Sequence, residues 1–288
     1  MTAPTMLAMN LTGVIEAPGM DSVPYLIGAD GRPYLPIGDG GVVLGVALGD
    51  SVFGFDAEHA SPAVTLVHSD QAARHALTAF GCLGNPVTVR SGAAAGEVGT
   101  VLGKRGEAGQ LLVWFPPEVL ARLTPGDSMV IRAFGQGATL PAGLARQGAR
   151  LLNVAPALLA RLPVTLADGA VECAVRGAVA SKLIGNGIGR PAQQWSLDLQ
   201  VDSGAAPLWE LSRLAVGDLI AVHNLDVRHN AGYRFGWSTV GVTVTTASPR
   251  PGNGPQVMPI LCLPTASLAL TVRPVDHVGV TAAMLAAG

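Results

Sequence analysis

The predicted fold is organised around Val216-Gly-Asp-Leu-Ile-Ala-Val-His-Asn-Leu-Asp-Val-Arg-His-Asn-Ala-Gly-Tyr-Arg-Phe-Gly-Trp-Ser-Thr-Val-Gly-Val-Thr-Val-Thr-Thr246. The apolar run Leu219–Val222 and the β-branched, alternating run Trp237–Thr246 predict two strands. Polar side chains crowd the loop between them, although charge is scarce elsewhere in the chain; they are His223, Asn224, Asp226, Arg228 and His229. Because rigid strands often present reactive side chains on their loops, this loop is a candidate site.

The rest of the chain predicts a mainly β fold (α+β class), with barrel-like β modules and short peripheral helices. Glycine and proline separate many short β-rich runs, and the regular strand–helix alternation of a doubly wound sheet is missing. The strand candidates are 11–15, 41–47, 51–55, 63–67, 87–90, 111–115, 128–134, 171–175, 195–201 and 268–273. The best helix candidate is 70–80, with Ser69 as its N-cap; shorter candidates are 117–123, 155–162, 207–214 and 281–287.

Three Gly-Asp pairs each precede a β-rich run, at Asp50, Asp127 and Asp218. Glycine permits a tight turn, and the aspartate can accept backbone N–H groups across it, so a structural role is expected. The pattern resembles the Gly-Asp box of cradle-loop barrels. The run from Val87 to Lys104 resembles the hairpin of KOW-type SH3-like barrels, which often contacts RNA; here we expect structural use.

The chain predicts two β-rich units, residues 1–150 and 151–288, with a soft boundary and the option of one shared core. The segment from about 138 to 162 is rich in Ala, Leu, Pro and Arg and reads as a connection between them. With 288 residues the chain is long enough for either arrangement.

Composition limits the function classes. The formal charge is −2, so the chain lacks the excess of positive charge that is typical of nucleic-acid-binding proteins, and we expect no nucleic-acid partner. Charged residues make up only 13% of the chain, which favours a homo-oligomer over a lone monomer. The cysteines Cys82, Cys173 and Cys262 lack metal-type spacing, and neither a secretory signal nor a membrane span is indicated. A cytoplasmic protein with buried free thiols is expected.

Two polar clusters could carry acid/base chemistry. Glu58 and His59 follow a predicted strand together with Asp56, and the alternative is a solvated turn. Asp226 and His229 lie in the opening stretch, spaced for an acid/base pair or for part of a divalent metal site. Zinc needs three or four ligands, so a metal would require both clusters to meet. We predict that they share one site, with Glu58, His59, Asp226 and His229 as its catalytic residues.

A third candidate is the glycine-rich loop from Leu183 to Arg190. Its glycines expose backbone N–H groups and Arg190 adds a bidentate donor, so it could hold a carboxylate or another oxyanion. The spacing is not that of a dinucleotide-binding fingerprint, and a sharp structural turn is the alternative. The predicted ligand-binding residues here are Gly185, Asn186, Gly187 and Arg190.

Several segments resemble, in order, an uncharacterised prokaryotic family of unknown function that includes a structural-genomics protein from a hyperthermophile. They are 79–85, 91–104, 131–137, 183–189 and 216–244, and they contain the further substrate-binding candidates Asn85, Gln136 and Tyr233. The run Glu58-His59-x-x-Pro62 is similar to an acidic-His-x-x-Pro element of that family.

Two departures from the family pattern affect the metal hypothesis. Asn224 stands where the resemblance implies the first aspartate of an Asp-x-Asp loop, and Asn253-Gly-Pro-Gln256 stands where it implies His-Gly-Pro-Gly. If relatives bind metal through those positions, this chain has fewer ligands, so the cofactor stays undetermined.

The favoured hypothesis is an enzyme that acts on a small polar molecule by acid/base chemistry. Hydrolysis of an amide, lactam or ester, or a related elimination or cyclisation (hydrolase-, lyase- or cyclase-like), would suit a carboxylate that orients an imidazole. The alternative is a non-catalytic small-molecule-binding or assembly protein. Convergence of the four catalytic candidates in one pocket would favour the enzyme.

Overall fold

A computed structural model describes residues 6–20, 25–36, 40–200, 211–273 and 277–286. The protein is mainly β with a few short helices, and one of its sheets is a closed six-stranded barrel. This confirms the predicted fold class. The barrel and the sheets after it hold the strands and loops that carry the candidate residues.

The barrel is built by the first half of the chain. Its strands are β1 (Ala8–Ile15), β4 (Val64–Val67), β5 (Pro86–Val89), β6 (Val98–Arg105), β7 (Gln110–Trp114) and β8 (Ser128–Phe134). They pair antiparallel in the order β1-β4-β7-β6-β5-β8, and β8 returns to β1, which closes the sheet. A small hairpin, β2 (Leu26–Ile27) with β3 (Pro33–Tyr34), lies outside the barrel path.

The second half forms two further sheets. A five-strand path has the order β12 (Gly177–Ala180), β14 (Leu219–Asp226), β15 (Gly232–Thr243), β16 (Gln256–Pro264) and β13 (Leu197–Asp198), and β9 (Arg150–Leu151) also pairs with β16. The smaller sheet contains β10 (Val164–Ala167), β11 (Ala170–Val175) and β17 (Leu268–Val272). The opening stretch of the sequence thus forms the long β14–β15 hairpin at the centre of the larger sheet.

One hydrophobic cluster spans both halves of the chain. Leu102 and Leu112 of the barrel are fully buried in the same cluster as Val240 and Ile260 of the larger sheet. In the described parts of the chain, five short α-helices lie around the strands: α1 (Gln71–Phe80), α2 (Pro117–Leu120), α3 (Ala142–Arg146), α4 (Pro156–Leu159) and α5 (Ala282–Ala286). A boundary near residue 150 stays a prediction, but apolar packing across it is continuous.

The three Gly-Asp pairs form the same turn. Asp50 Oδ2 accepts the N–H of Ala47 at 2.8 Å, and Asp218 Oδ2 accepts that of Ala215 at 2.8 Å. Asp127 Oδ2 likewise accepts a backbone N–H three residues upstream, from Thr124 at 2.9 Å. The preceding glycines have φ of 92°, 92° and 99°, a region that glycine reaches without strain. These aspartates are turn clamps, as the sequence pattern indicated.

Local predictions fail where a side chain or a proline changes the backbone pattern. Asp70, not Ser69, caps α1, because its Oδ1 accepts the N–H of Ala73 at 2.8 Å. The run 41–47 and the run 51–55 each make only an isolated bridge instead of a strand. Strand β16 was not predicted, since Pro255, Pro259 and Pro264 argue against an interior strand; Pro259 is accommodated where the pairing with β15 shifts register.

Candidate functional site

His59 is held in a buried, strained position. Its φ is 46°, a left-handed value that is uncommon outside glycine, and its side chain is buried. Nε2 lies 2.9 Å from the carbonyl oxygen of Gly254, which can only accept, so Nε2 carries the proton and Nδ1 is left as the basic nitrogen. Burial and, to a smaller extent, the nearby Arg105 charge lower the pKa of His59 to about 4, although hydrogen bonds to the backbone of Gly254 and Asn253 oppose the shift. The imidazole is therefore neutral at neutral pH.

The neighbouring Glu58 points to a different partner. Tyr34, on the small β2–β3 hairpin, donates its hydroxyl to Glu58 Oε1. Burial raises the pKa of Tyr34, and the hydrogen bond to Glu58 and its negative charge raise it further. The pair therefore consists of a neutral phenol that donates to a half-buried carboxyl group.

The turn of the β6–β7 hairpin reaches across to the second half of the chain. Arg105, at the end of β6, is buried and donates to the carbonyl of His59, and its Nη1 donates to Gln110 at 3.3 Å. Glu107, in the turn, accepts a hydrogen bond of 2.8 Å from Asn186 Nδ2. The barrel thus places a cation and a carboxylate against the larger sheet and the glycine-rich loop.

Asp198 is a buried carboxyl group on strand β13, within electrostatic range of Glu107. It is only 2% exposed, and it lies directly opposite Gln256 in the antiparallel β13–β16 pair. Within the described residues, Oδ2 of Asp198 and Oε1 of Gln256 are both buried without a hydrogen-bond partner. Burial raises the pKa of Asp198 to about 7 and the Glu107 carboxylate adds to the rise, while hydrogen bonds from Gln256 and Asn186 oppose it.

These residues form one connected group, which we name the junction cluster: His59, Arg105, Glu107, Asn186, Asp198 and Gln256. Arg105 links His59 to the hairpin, and Glu107 links the hairpin to Asn186. Asn186 and Asp198 are joined by a backbone hydrogen bond of 3.1 Å, and Gln256 lies two residues after Gly254, which binds His59. The cluster contains a carboxyl group whose pKa near 7 suits proton transfer at neutral pH, and a neutral imidazole that can accept a hydrogen bond.

Asp226 has the opposite electrostatic character. Although its partial burial would raise the pKa, hydrogen bonds from Arg228, supported by one from Arg234, hold the pKa well below the usual range. Arg228 binds both carboxylate oxygens, at 3.0 and 2.8 Å, and Arg234 binds Oδ2 at 3.0 Å. A carboxylate held this way keeps its charge at neutral pH, so the geometry does not suit the acid/base role predicted for it.

Three other predicted residues gather beside Asp226. Asp226, His229 and Tyr233 line one shallow hollow of about 190 Å³, together with Asn230, Gly232 and Arg234. Arg190 comes to the same place, because its carbonyl accepts the N–H of Ala231 at 2.8 Å. His229, Tyr233 and Arg190 are all exposed, so this part of the predicted site is open to solvent.

The two predicted clusters lie at opposite ends of β16. His59 binds Gly254, just before the strand, whereas Asp226 Oδ1 lies 3.7 Å from Sγ of Cys262, near its other end. At about 3.3 Å per residue, the six steps from Gln256 to Cys262 span ~20 Å. Within one chain, therefore, the Glu58–His59 pair and the Asp226–His229 pair do not form the shared catalytic site that the sequence predicted.

The glycine-rich loop lies between the His59 region and the Asp226 region. One of its backbone N–H groups, that of Gly187, already donates within the loop. Gly185 is packed against the carbonyl of Gly252 on the His59 side, and Arg190 lies on the Asp226 side. The N–H of Gly187 donates to Asn186 Oδ1 at 2.9 Å. Gly187 has φ of 99°, and an added Cβ would lie 2.8 Å from the carbonyl oxygen of Ser196. These contacts favour the sharp structural turn over the oxyanion cradle.

Asn85 and Gln136 belong to buried polar networks that stabilise the barrel rim. Both polar atoms of the Asn85 side chain are bonded to backbone, with Oδ1 2.8 Å from Cys82 N and Nδ2 2.8 Å from Phe134 O. Gln136 Nε2 donates to Asn153 Oδ1 at 3.0 Å. Their predicted ligand-binding roles stay untested, but these polar atoms are already satisfied internally.

Lys104 joins the barrel to the second half through the same network. It is fully buried, and its ammonium group donates to the carbonyl of Thr78, to Asn153 Oδ1 at 3.0 Å and to the carbonyl of Gln193 at 2.9 Å. Three donors meet three acceptors, so the charge is satisfied although burial lowers the pKa of Lys104 to about 8. The KOW-like hairpin therefore directs its lysine inward.

The described residues contain neither a metal-type cluster nor a membrane-spanning helix. Over the parts of the chain that the structure covers, no three His, Cys, Asp or Glu side chains lie close enough to hold a metal ion. Among the same residues, no helix has the length and apolarity needed to cross a membrane. The three cysteines are free and buried.

Sequence reasoning missed four members of the junction cluster: Arg105, Glu107, Asp198 and Gln256. Asp198 sits in an apolar, β-rich run, and Glu107 in a short turn, so neither stands in a dense polar cluster. The alternation of the run 195–201 places Asp198 on the polar face with Ser196 and Gln200, so the sequence pattern does not predict its burial.

Comparisons with known proteins agree with this architecture. A search of curated proteins found no match. The crystal structure of TM1086, a thermophile protein, is similar to this chain with a TM-score of 0.87 and 28% sequence identity, and the match covers 95% of each chain. The model of the N-terminal domain of unknown function DUF4438 matches residues 25–160, and that of the C-terminal domain matches residues 161–279. The sequence resemblance is thereby confirmed, and the chain belongs to the DUF4438 family of unknown function.

Proposed function

We propose that this protein is an enzyme that transfers protons to and from a small polar substrate at the junction cluster. The observation that carries the proposal is Asp198, a carboxyl group buried against a second carboxylate, Glu107, with one oxygen unpaired within the described residues. Isolated carboxyl groups are rarely kept in such a place, because burial without a partner costs several kcal/mol. Active sites are where such unfavourable groups are commonly retained.

The proposed chemistry follows from the two protonation states of Asp198. With a pKa near 7, Asp198 can give a proton to a leaving group or remove one from an attacking water, which is the range in which general acid/base catalysis is most effective. Glu107, which accepts a hydrogen bond from Asn186, raises the pKa of Asp198. The neutral His59 supplies a hydrogen-bond acceptor, Nδ1. Hydrolysis of an amide, lactam or ester, or a related elimination or cyclisation, would use these groups.

The test is a substrate screen on wild-type protein and two isosteric variants. Small amides, lactams and esters are offered between pH 5 and 9, and turnover is measured for Asp198→Asn and Glu107→Gln. We expect Asp198→Asn to lose roughly 100-fold or more of any activity found, and the wild-type rate to change with a pKa near 7.

Asp127→Asn is the matched control. Asp127 is buried to a similar extent but serves as a turn clamp, so its variant should lose stability and keep its specific activity when folded. An activity that Asp198→Asn retains to within about threefold would overturn the proposed role of Asp198.

A second proposal concerns assembly and location. Large apolar side chains are exposed on and beside the β2–β3 hairpin, including Tyr25, Ile27, Leu35 and Leu44. Such exposure, together with the low charge content, supports a homo-oligomer; the free thiols favour a reducing cytoplasm. Light scattering at micromolar concentration tests the first point, and a monomer mass would refute it.

A further inference from the structure

The surface around Asp226 combines cations with aromatic rings in one continuous patch. We name it the arginine–aromatic corner, formed by Arg190, Trp195, Arg228, Tyr233, Arg234, Phe235 and Trp237. The guanidinium of Arg228 lies 3.4 Å from the ring centroid of Trp237, that of Arg234 lies 5.0 Å from it, and that of Arg190 lies 4.7 Å from Trp195. Ala231 fixes the glycine-rich loop beside the β14–β15 hairpin, because its N–H donates to the carbonyl of Arg190 and its carbonyl accepts the N–H of Gly189.

The corner is locally cationic in a chain that is slightly acidic. Arg150 adds a fourth guanidinium, since its Nη1 donates to the carbonyl of Arg228 at 2.6 Å. Asp226 offsets one of these charges through its pairs with Arg228 and Arg234. The local excess of positive charge favours an anionic ligand, and guanidinium groups bind phosphate and carboxylate oxygens in pairs.

The aromatic side chains of the corner offer flat surfaces to solvent. Phe235 is 92% exposed and Tyr233 is 62% exposed, both beside Arg234 on β15. The pairing of β14 with β15 shifts register at Asn224, where Gly236 N donates to Asn224 Oδ1 at 3.3 Å, so residues 234–236 stand out from the ladder. An exposed ring has two free faces, and stacking of a planar group on such a ring contributes about 1–3 kcal/mol.

We propose that the arginine–aromatic corner binds a planar, phosphate-bearing molecule of the mononucleotide class. The hollow of about 190 Å³ beside Asp226 is smaller than a typical pocket for a whole ligand but large enough for a phosphate group. The phosphate would bind in the hollow against Arg234 and His229, and the planar base would stack on Tyr233 or Phe235 beside it. This proposal uses residues outside the junction cluster and stands whether or not that cluster is catalytic.

Calorimetric titration at low salt tests the proposal with four probes: AMP, adenosine, inorganic phosphate and a short single-stranded oligonucleotide. We expect AMP to bind tightest among the three small probes, because it alone engages both the arginines and the rings. Phe235→Ala should weaken AMP roughly 5-fold or more without changing phosphate binding, which corresponds to the loss of one stacking contact. Arg234→Gln should weaken both AMP and phosphate, because Arg234 lines the hollow.

Two controls keep the outcome decisive. Tyr25→Ala removes an exposed aromatic ring from the distant β2–β3 hairpin, so it should leave AMP affinity unchanged, and thermal melting confirms that each variant is folded. AMP binding no tighter than phosphate, or equal in wild type and Phe235→Ala, would overturn the proposal. Much tighter binding of the oligonucleotide, with a steep salt dependence, would also overturn it and assign the corner to single-stranded nucleic acid.

Discussion

Replacement of the Asp198 carboxyl group should make the protein more stable at alkaline pH and change how stability depends on pH. The pKa of Asp198 is raised from 3.8 to about 7 in the folded state. As pH rises from 4 to 7, the unfolded chain releases this proton first, so folding becomes less favourable with increasing pH. At 1.36 kcal/mol per unit, a shift of about 3 units costs ~4 kcal/mol above pH 7.

Asp198→Asn has nearly the same shape and stays neutral at every pH. We therefore expect the variant to exceed the wild type in free energy of unfolding by about 2–4 kcal/mol at pH 8, and the difference to shrink toward zero near pH 4. Urea unfolding of both proteins at several pH values measures this difference and cancels the other titrating groups. A constant difference between pH 4 and 8, or a variant less stable than wild type at pH 8, would refute the reasoning.

Three further outcomes are expected. The pKa of His59 is lowered to about 4, so its contribution to stability is complete above pH 6.5 and is lost as pH falls toward 4. NMR titration of the imidazole should find no midpoint above pH 5. A midpoint above pH 6 would contradict the argument that burial lowers this pKa. Gly187→Ala should lower the free energy of unfolding by more than about 1 kcal/mol, because the new methyl group meets Ser196 at a strained φ; an unchanged melting temperature would contradict this. Lys104→Met should cost roughly 2–4 kcal/mol in urea unfolding, since Asn153 and two carbonyls lose their donor, and a loss below about 0.5 kcal/mol would show that the buried ammonium group is dispensable.

The sequence predicted the fold class and the turns well because those depend on local chemistry. The adjacent residues Gly217 and Asp218 predict a tight turn, and the turn forms as expected. The predicted Leu219–Val222 strand is extended by four residues, to Asp226. The extension was not predicted because its side chains are polar, and the end of a strand near solvent need not alternate in polarity.

The candidate site was harder to predict because it depends on contacts between distant residues. Asp226 and His229 are close in sequence and do share a surface, whereas Asp198 and Glu107 meet only through the barrel closing against the larger sheet. The density of polar residues in the sequence pointed to solvated turns as readily as to a site. An isolated carboxyl group in an apolar run gave no such signal, although it is the more unusual group in the fold.

The closure of the barrel has a consequence for dividing this protein into fragments. Strand β1 (Ala8–Ile15) completes the ring by pairing with both β4 and β8, yet the N-terminal family match begins only at residue 25. A fragment of residues 25–160 would therefore lack strand β1. Strands β4 and β8 would then be two open edges of the sheet, with unpaired backbone N–H and C=O groups. Open edges recruit other chains, so such a fragment should aggregate, whereas expression that starts at or before residue 6 keeps the ring intact.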